Sequence, residues 1–249
     1  MHWSDHLLFF LFGIVFPWQA IFRTQPTLQG VEYWDTRLKR SLYFSNSISL
    51  WVMALIVLIV WWLLGRPVAG LGIRWPEEAS WGLGIIGSGG FVLAYILDLW
   101  LEVRTPEALA NTRAHWRKHT PFMPENKKEV NLFYVVAISA AVAEEIVFRG
   151  FFVYYFTTWF SGNPWAPWIA IGIPSLIFAL SHYYQGWKAM AKIALLSLIF
   201  GWLLVYTQSL LIPVVLHFAV DVAGGYLSLW LKEEEPEEPD FALSLGEEE

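Results

Sequence analysis

Seven long apolar stretches alternate with polar loops, and this pattern constrains the fold more than any other feature of the chain. They are residues 6–22, 45–64, 80–101, 130–157, 165–182, 188–206 and 209–231. A helix needs about 20 apolar residues to cross the hydrocarbon core of a bilayer. The sequence therefore predicts an all-α fold, a polytopic transmembrane bundle of about seven helices, within a range of six to eight.

The composition supports a membrane protein and excludes other classes. Hydrophobic residues make up 56% of the chain and charged residues 15%, whereas a soluble domain carries about 25% charged residues. The absence of cysteine excludes disulfides and thiolate metal ligands. No basic patch with interleaved aromatic residues occurs, so nucleic acid is not an expected partner. The expected surroundings are the lipid bilayer.

Basic residues are unevenly divided between the two sets of loops. Loops 1, 3 and 5 and the C-terminal segment hold nearly all Lys and Arg, and the opposite set holds Arg66 and Arg74. The positive-inside rule then predicts an outside N-terminus and a cytoplasmic C-terminus. The first apolar stretch lacks a basic flank and a small-residue cleavage site, so we expect a membrane helix and not a signal peptide.

Along the chain we predict three parts. Residues 1–129 form N-terminal membrane helices followed by a polar cytoplasmic loop, residues 130–231 form a C-terminal membrane core that contains the active site, and residues 232–249 form an acidic, disordered tail. Five glycines between residues 82 and 90 predict a seam of close helix packing.

Three charged residues interrupt the apolar stretch 130–157. They are Glu144, Glu145 and Arg149, and each charge at the centre of a membrane helix costs at least ~2.5–3.5 kcal/mol. Glu145 and Arg149 have the i, i+4 spacing of a helical ion pair. Glu144 has no partner of this kind, which leaves it available for proton transfer. The alternative is that the three charges only stabilise helix packing and have no catalytic role.

Two histidines lie in later apolar stretches, each four residues from a notable neighbour. Phe178 and His182 share a helix face, so the ring is expected to pack on the imidazole. His217 and Asp221 also share a face, so the acid could hold the histidine's tautomer. Taken alone, the first pair is more often an interfacial histidine, and the second could be a helix-helix contact without a catalytic role.

Together the three clusters suggest a hydrolase. Glu144 and His182 could deprotonate a water molecule, and His217 with Asp221 could donate hydrogen bonds where negative charge develops on an attacked carbonyl. A polar cavity inside the membrane bundle would hold all four residues.

The motifs Glu-Glu-x-x-x-Arg, Phe-x-x-x-His and His-x-x-x-Asn/Asp, in this order on successive membrane helices, resemble the CPBP family. This family contains CAAX prenyl proteases and bacteriocin-processing enzymes, which are metal-independent intramembrane glutamic endopeptidases. The resemblance covers about residues 130–230. It implies that Glu144 and His182 activate water, that His217 and Asp221 line the oxyanion site, and that three residues support them, namely Glu145, Arg149 and Phe178.

The resemblance also implies the partners of the site. The substrate would be a peptide or protein at the membrane, prenylated in one branch of the family, and neither a metal nor a cofactor is expected. One position departs from the prenyl proteases, which carry asparagine where this chain has Asp221. An ionised aspartate would repel an oxyanion, so Asp221 must be protonated, orient His217, or mark an altered activity.

Three other hypotheses about the function remain open. Two glutamates and two histidines could ligate zinc in a membrane hydrolase, although the His-Glu-x-x-His spacing of metalloproteases is absent. A non-catalytic scaffold or immunity-type protein could keep the same polar cavity for partner binding. A transporter would also carry intramembrane charges, but no paired broken helices occur in two matching halves. Chelator sensitivity and substitution of Glu144 would separate these readings.

Overall fold

The computed structural model describes residues 1–24, 27, 28 and 30–233, and over these residues it contains helices and no strand. The predicted all-α fold is therefore confirmed for the described part of the chain. The eight long helices are α1 (Trp3–Thr24), α2 (Thr36–Leu63), α3 (Trp81–Val103), α4 (Pro106–His119), α5 (Lys127–Trp159), α6 (Ala166–Ser181), α7 (Trp187–Thr207) and α8 (Leu211–Glu233). The predicted acidic tail from residue 234 onward lies outside the described residues.

Polar side chains set the starts of several helices. Asp35 accepts a hydrogen bond from the backbone N–H of Leu38 at the start of α2, and Thr105 does the same for Ala108 in α4. Asn126 caps α5. Such caps satisfy backbone donors that have no partner within the helix.

Six of the described helices are long and apolar enough to cross a membrane, namely α1, α2, α3, α5, α7 and α8. They match six of the seven predicted spans. The seventh, α6, has 16 residues and is therefore about 24 Å long, short of the ~30 Å hydrocarbon core.

Contacts between loops define the two ends of the bundle. At the end that holds the N-terminus, Arg66 forms a two-pronged ion pair with Asp5, with N–O distances of 2.7 and 2.9 Å. At this end the N–H of Leu210, before α8, also donates to the carbonyl of Gly72, which follows α2. The loops after α2 and before α8 therefore lie together.

At the opposite end a buried lysine joins α2 to α5. Lys39 is fully buried and donates to Glu129 at 3.2 Å and to the carbonyl of Met123 at 3.0 Å. Lys232 of α8 pairs with Glu125 at 2.5 Å. The two predicted loop sets thus occupy opposite ends, and which end faces the cytoplasm stays a prediction.

The glycine-rich part of α3 packs closely at two positions. A Cβ atom on Gly84 would lie 2.6 Å from Ile212 of α8, and one on Gly87 would lie 2.7 Å from Trp202 of α7. The other three glycines of this stretch, Gly82, Gly89 and Gly90, have no such neighbour within 4 Å. The predicted seam is therefore limited to Gly84 and Gly87.

Candidate active site

The site is built around a change of helix type within α5. The regular α-helix ends at Glu144, and Glu145–Phe151 adopt π-helical hydrogen bonding. All seven residues of this segment are buried. Short π segments occur often at functional sites, since they rotate side chains away from the regular helical positions.

Glu145 is the centre of the hydrogen-bond network. Its Oε1 atom accepts from Arg149 Nη1 at 2.8 Å and lies 2.8 Å from His217 Nδ1. The predicted ion pair between Glu145 and Arg149 is therefore present. The other carboxylate oxygen of Glu145, Oε2, is buried and has no hydrogen-bond partner among the described residues.

Helices α6 and α7 hold the Arg149 guanidinium in place. Arg149 Nη2 donates to the Ser197 hydroxyl at 2.9 Å. The guanidinium carbon lies 4.2 Å from the centre of the Phe178 ring and 5.5 Å from that of Phe200, within the range of cation–π attraction. The motifs did not predict Ser197 or Phe200. The sequence feature that could have indicated Ser197 is a single serine within the apolar part of α7.

His182 directly follows α6, and its orientation is defined by Phe178. His182 Nδ1 lies 2.8 Å from the Phe178 carbonyl oxygen. A carbonyl can only accept, so Nδ1 carries a proton, and in the neutral ring Nε2 keeps its lone pair. The ring centres of Phe178 and His182 are 4.5 Å apart, which agrees with the predicted packing.

His217 lies between three carboxyl groups. Its Nδ1 contacts Glu145, and its Nε2 lies 3.7 Å from Glu144 Oε2 and 3.8 Å from Asp221 Oδ2. The idea that Asp221 holds the histidine's tautomer is therefore corrected. Glu145 makes that hydrogen bond from 72 residues away in sequence, whereas Asp221 faces the other nitrogen beyond hydrogen-bond distance.

The four residues predicted to be catalytic line one cavity. It has a volume of about 560 Å³ and is bounded by side chains that include Glu144, His182, His217 and Asp221. Helix α4 and the turn Tyr183–Gln185 also contribute lining residues. Over the described residues, no three His, Asp or Glu side chains are arranged to hold a metal ion. The cavity thus brings two acids and two histidines to one surface.

Comparison with known proteins points to one family. Residues 126–223 match the family model described as type II CAAX prenyl endopeptidase Rce1-like. The predicted resemblance is confirmed. The Rce1-like segment runs from the start of α5 into α8 and contains all seven predicted site residues.

A curated protein of Escherichia coli, described as "Uncharacterized 24.3 kDa protein", is 25% identical over 192 residues, which cover 75% of this chain and 80% of that protein. No solved structure matches the chain. The Rce1-like family is one of CAAX-type proteases, and the six membrane-length helices identify an integral, multi-pass membrane protein.

Proposed function

We propose that this protein is an intramembrane endopeptidase that hydrolyses a peptide bond of a membrane-associated substrate with water activated by Glu144 and His182. The observation that carries the proposal is the shared cavity of Glu144, His182, His217 and Asp221. The match to a CAAX-type protease family over the same segment supports it.

Glu144 and His182 are the bases of the proposed reaction. Glu144 has no arginine partner, because Arg149 pairs with Glu145. The lone pair on His182 Nε2 is the second acceptor. A water molecule between them would lose a proton to Glu144 as its oxygen attacks the carbonyl carbon, and the carbonyl π electrons would move to the oxygen. Glu144 would then pass the proton to the departing amine as the C–N bond breaks.

His217 and Asp221 face the oxyanion in this scheme. Glu145 fixes the ring through Nδ1, so Nε2 is held toward the cavity, where it donates to the oxyanion when it carries a proton. Glu145, Arg149 and Phe178 are positioning residues, since each acts through a histidine or through another member of the network.

The family match supports a class of substrate. A CAAX-type substrate brings its scissile bond to the membrane surface on a lipid-anchored tail, and a cavity lined by apolar side chains beside the polar site residues suits such a tail. We therefore propose a membrane-bound peptide or protein, prenylated as in the CAAX branch. Metal independence and a cytoplasmic C-terminus belong to the same proposal.

The test compares cells that express the wild-type protein or Glu144→Gln, with their membrane proteins analysed by mass spectrometry. Glu144→Gln keeps the side-chain shape and removes the base, so we expect cleavage to fall by at least ~10²–10⁴-fold. A Glu144→Gln protein that releases the same fragments at the wild-type rate would refute the mechanism.

Two further arms address the alternatives. Loss of cleavage on treatment with a chelator, and its return with zinc, would favour the zinc hydrolase. Equal fragment profiles in wild-type, variant and empty-vector cells would favour the non-catalytic scaffold or immunity-type protein.

A further inference from the structure

Tyr184 lies on the short turn that follows the histidine of the second motif. The turn consists of Tyr183–Gln185 and connects His182 to α7. Tyr184 lines the same cavity as Glu144 and Asp221. Neither the motifs nor the proposed mechanism uses this residue.

The hydroxyl of Tyr184 has a free proton to donate. The Gln185 side-chain amide donates to the Tyr184 oxygen at 3.1 Å, so this contact occupies an acceptor position and leaves the O–H directed elsewhere. Burial raises the pKa of Tyr184 to about 12, opposed by the Gln185 hydrogen bond and reinforced by the charges of Glu144 and Asp221. The phenol therefore stays protonated over the working range of an enzyme, and those two acids lie within electrostatic reach of it.

Contacts on several sides hold the turn in position. The Tyr184 ring lies 6.0 Å from the His182 ring and 6.1 Å from the Phe122 ring, measured between centres. Gly186 has a φ of +88°, and a Cβ there would lie 3.2 Å from ring atoms of His115 and His119 of α4. A donor held this firmly needs little reorganisation when charge develops, which is the property required of an oxyanion hole.

We infer that Tyr184 is a further catalytic residue, whose hydroxyl donates a hydrogen bond to the oxyanion formed in the cavity. The inference rests on the proposed function. It answers the departure at Asp221, because a second donor on the cavity wall supplies the hydrogen bond that an asparagine amide provides in the prenyl proteases. In the step, the attacking water loses a proton to Glu144 and forms the new C–O bond. The carbonyl π electrons move to the oxygen, and Tyr184 stabilises that charge without giving up its proton.

The test uses the purified full-length protein and a farnesylated fluorogenic CAAX peptide. Tyr184→Phe removes only the hydroxyl, and we expect kcat to fall about 10²–10³-fold, as when one oxyanion donor is lost, with KM unchanged. Tyr183→Phe is the matched control. It removes the same group from the neighbouring residue of the turn, which is not among the described residues that line the cavity, and it should keep the wild-type kcat.

The outcomes separate this inference from the proposed function. The inference alone would be overturned if the wild type cleaves the peptide, Glu144→Gln does not, and Tyr184→Phe keeps the wild-type kcat. An equal loss of kcat in Tyr183→Phe and Tyr184→Phe would overturn it too, because the effect would then be general to the turn. Equal inactivity of wild type and Glu144→Gln would overturn the proposed CAAX-type activity, and the role of Tyr184 with it.

Discussion

Replacing Arg149 with methionine tests the network that supports the site. Methionine keeps much of the side-chain volume and removes the charge together with the hydrogen bonds to Glu145 and Ser197. Glu145 is fully buried, so the substitution leaves a carboxylate inside the bundle with His217 as its remaining hydrogen-bond partner.

The size of the effect follows from this burial. Removing one partner of a buried ion pair costs about 3–5 kcal/mol of unfolding free energy, because the other charge remains buried without compensation. For a protein of 150–250 residues each kcal/mol shifts Tm by about 2–4 °C. We therefore expect Arg149→Met to lower Tm by about 6–20 °C, with loss of cleavage.

The assay is thermal unfolding in detergent micelles, with Glu145→Gln and the double variant completing the cycle. The double variant should be more stable than the sum of the two single effects predicts, since the neutral pair leaves no buried charge. Arg74→Met is the control, because it removes only exposed contacts, an ion pair with Glu77 and a hydrogen bond to the Gln208 carbonyl. Exposed ion pairs contribute only about 0–1 kcal/mol. If Arg149→Met unfolds at the wild-type temperature, or no more easily than Arg74→Met, the reasoning is refuted.

Two other substitutions test separate parts of the account. Asp221→Asn should keep substantial activity and show a flatter profile at alkaline pH, because the amide can donate to the oxyanion and one ionisable group is gone. Asp221→Ala should lower activity, because it removes the carboxyl group 3.8 Å from His217 Nε2, but by less than the ~10²–10³-fold expected for loss of an oxyanion donor. Equal wild-type rates for both, measured on one peptide across pH, would show that Asp221 has no catalytic part. Gly87→Ala should lower the free energy of unfolding by about 1–3 kcal/mol, because the added methyl overlaps Trp202. Gly89→Ala should leave the free energy of unfolding unchanged or raise it by up to about 1 kcal/mol. Denaturation curves that rank the two variants in the opposite order would contradict the assigned packing of α3.

Local spacing explains what could be predicted from the sequence. The pairing of Glu145 with Arg149 and the packing of Phe178 on His182 both join residues four positions apart, and helix geometry brings such residues together. The six membrane-length helices follow from the length of each apolar run. The apolar stretch 165–182 has 18 residues, and α6 is two residues shorter because Trp165 and His182 lie just outside the helix.

Contacts between distant helices could not be predicted in the same way. Ser197 lies 48 residues from Arg149, and His217 lies 72 residues from Glu145, so no periodicity within one helix indicates these pairs. The local spacing instead suggested Asp221 as the partner of His217. In the structure the hydrogen-bond partner of His217 is instead Glu145 of α5, which pairs with Arg149.

The proposed roles of Glu144, Glu145 and Asp221 differ because, in the described part of the chain, only Glu145 is seen to pair with an arginine, Arg149. Glu145 pairs with Arg149, and its Oε1 atom also lies 2.8 Å from His217 Nδ1, a contact that holds Nε2 toward the cavity. In the proposed mechanism Glu145 therefore holds the histidine and does not act as the base. Glu144 and Asp221 have no arginine partner among the described residues and both face Nε2. In the proposed mechanism Glu144 takes the proton from water, and Tyr184 supplies the hydrogen bond that an asparagine amide provides in the prenyl proteases.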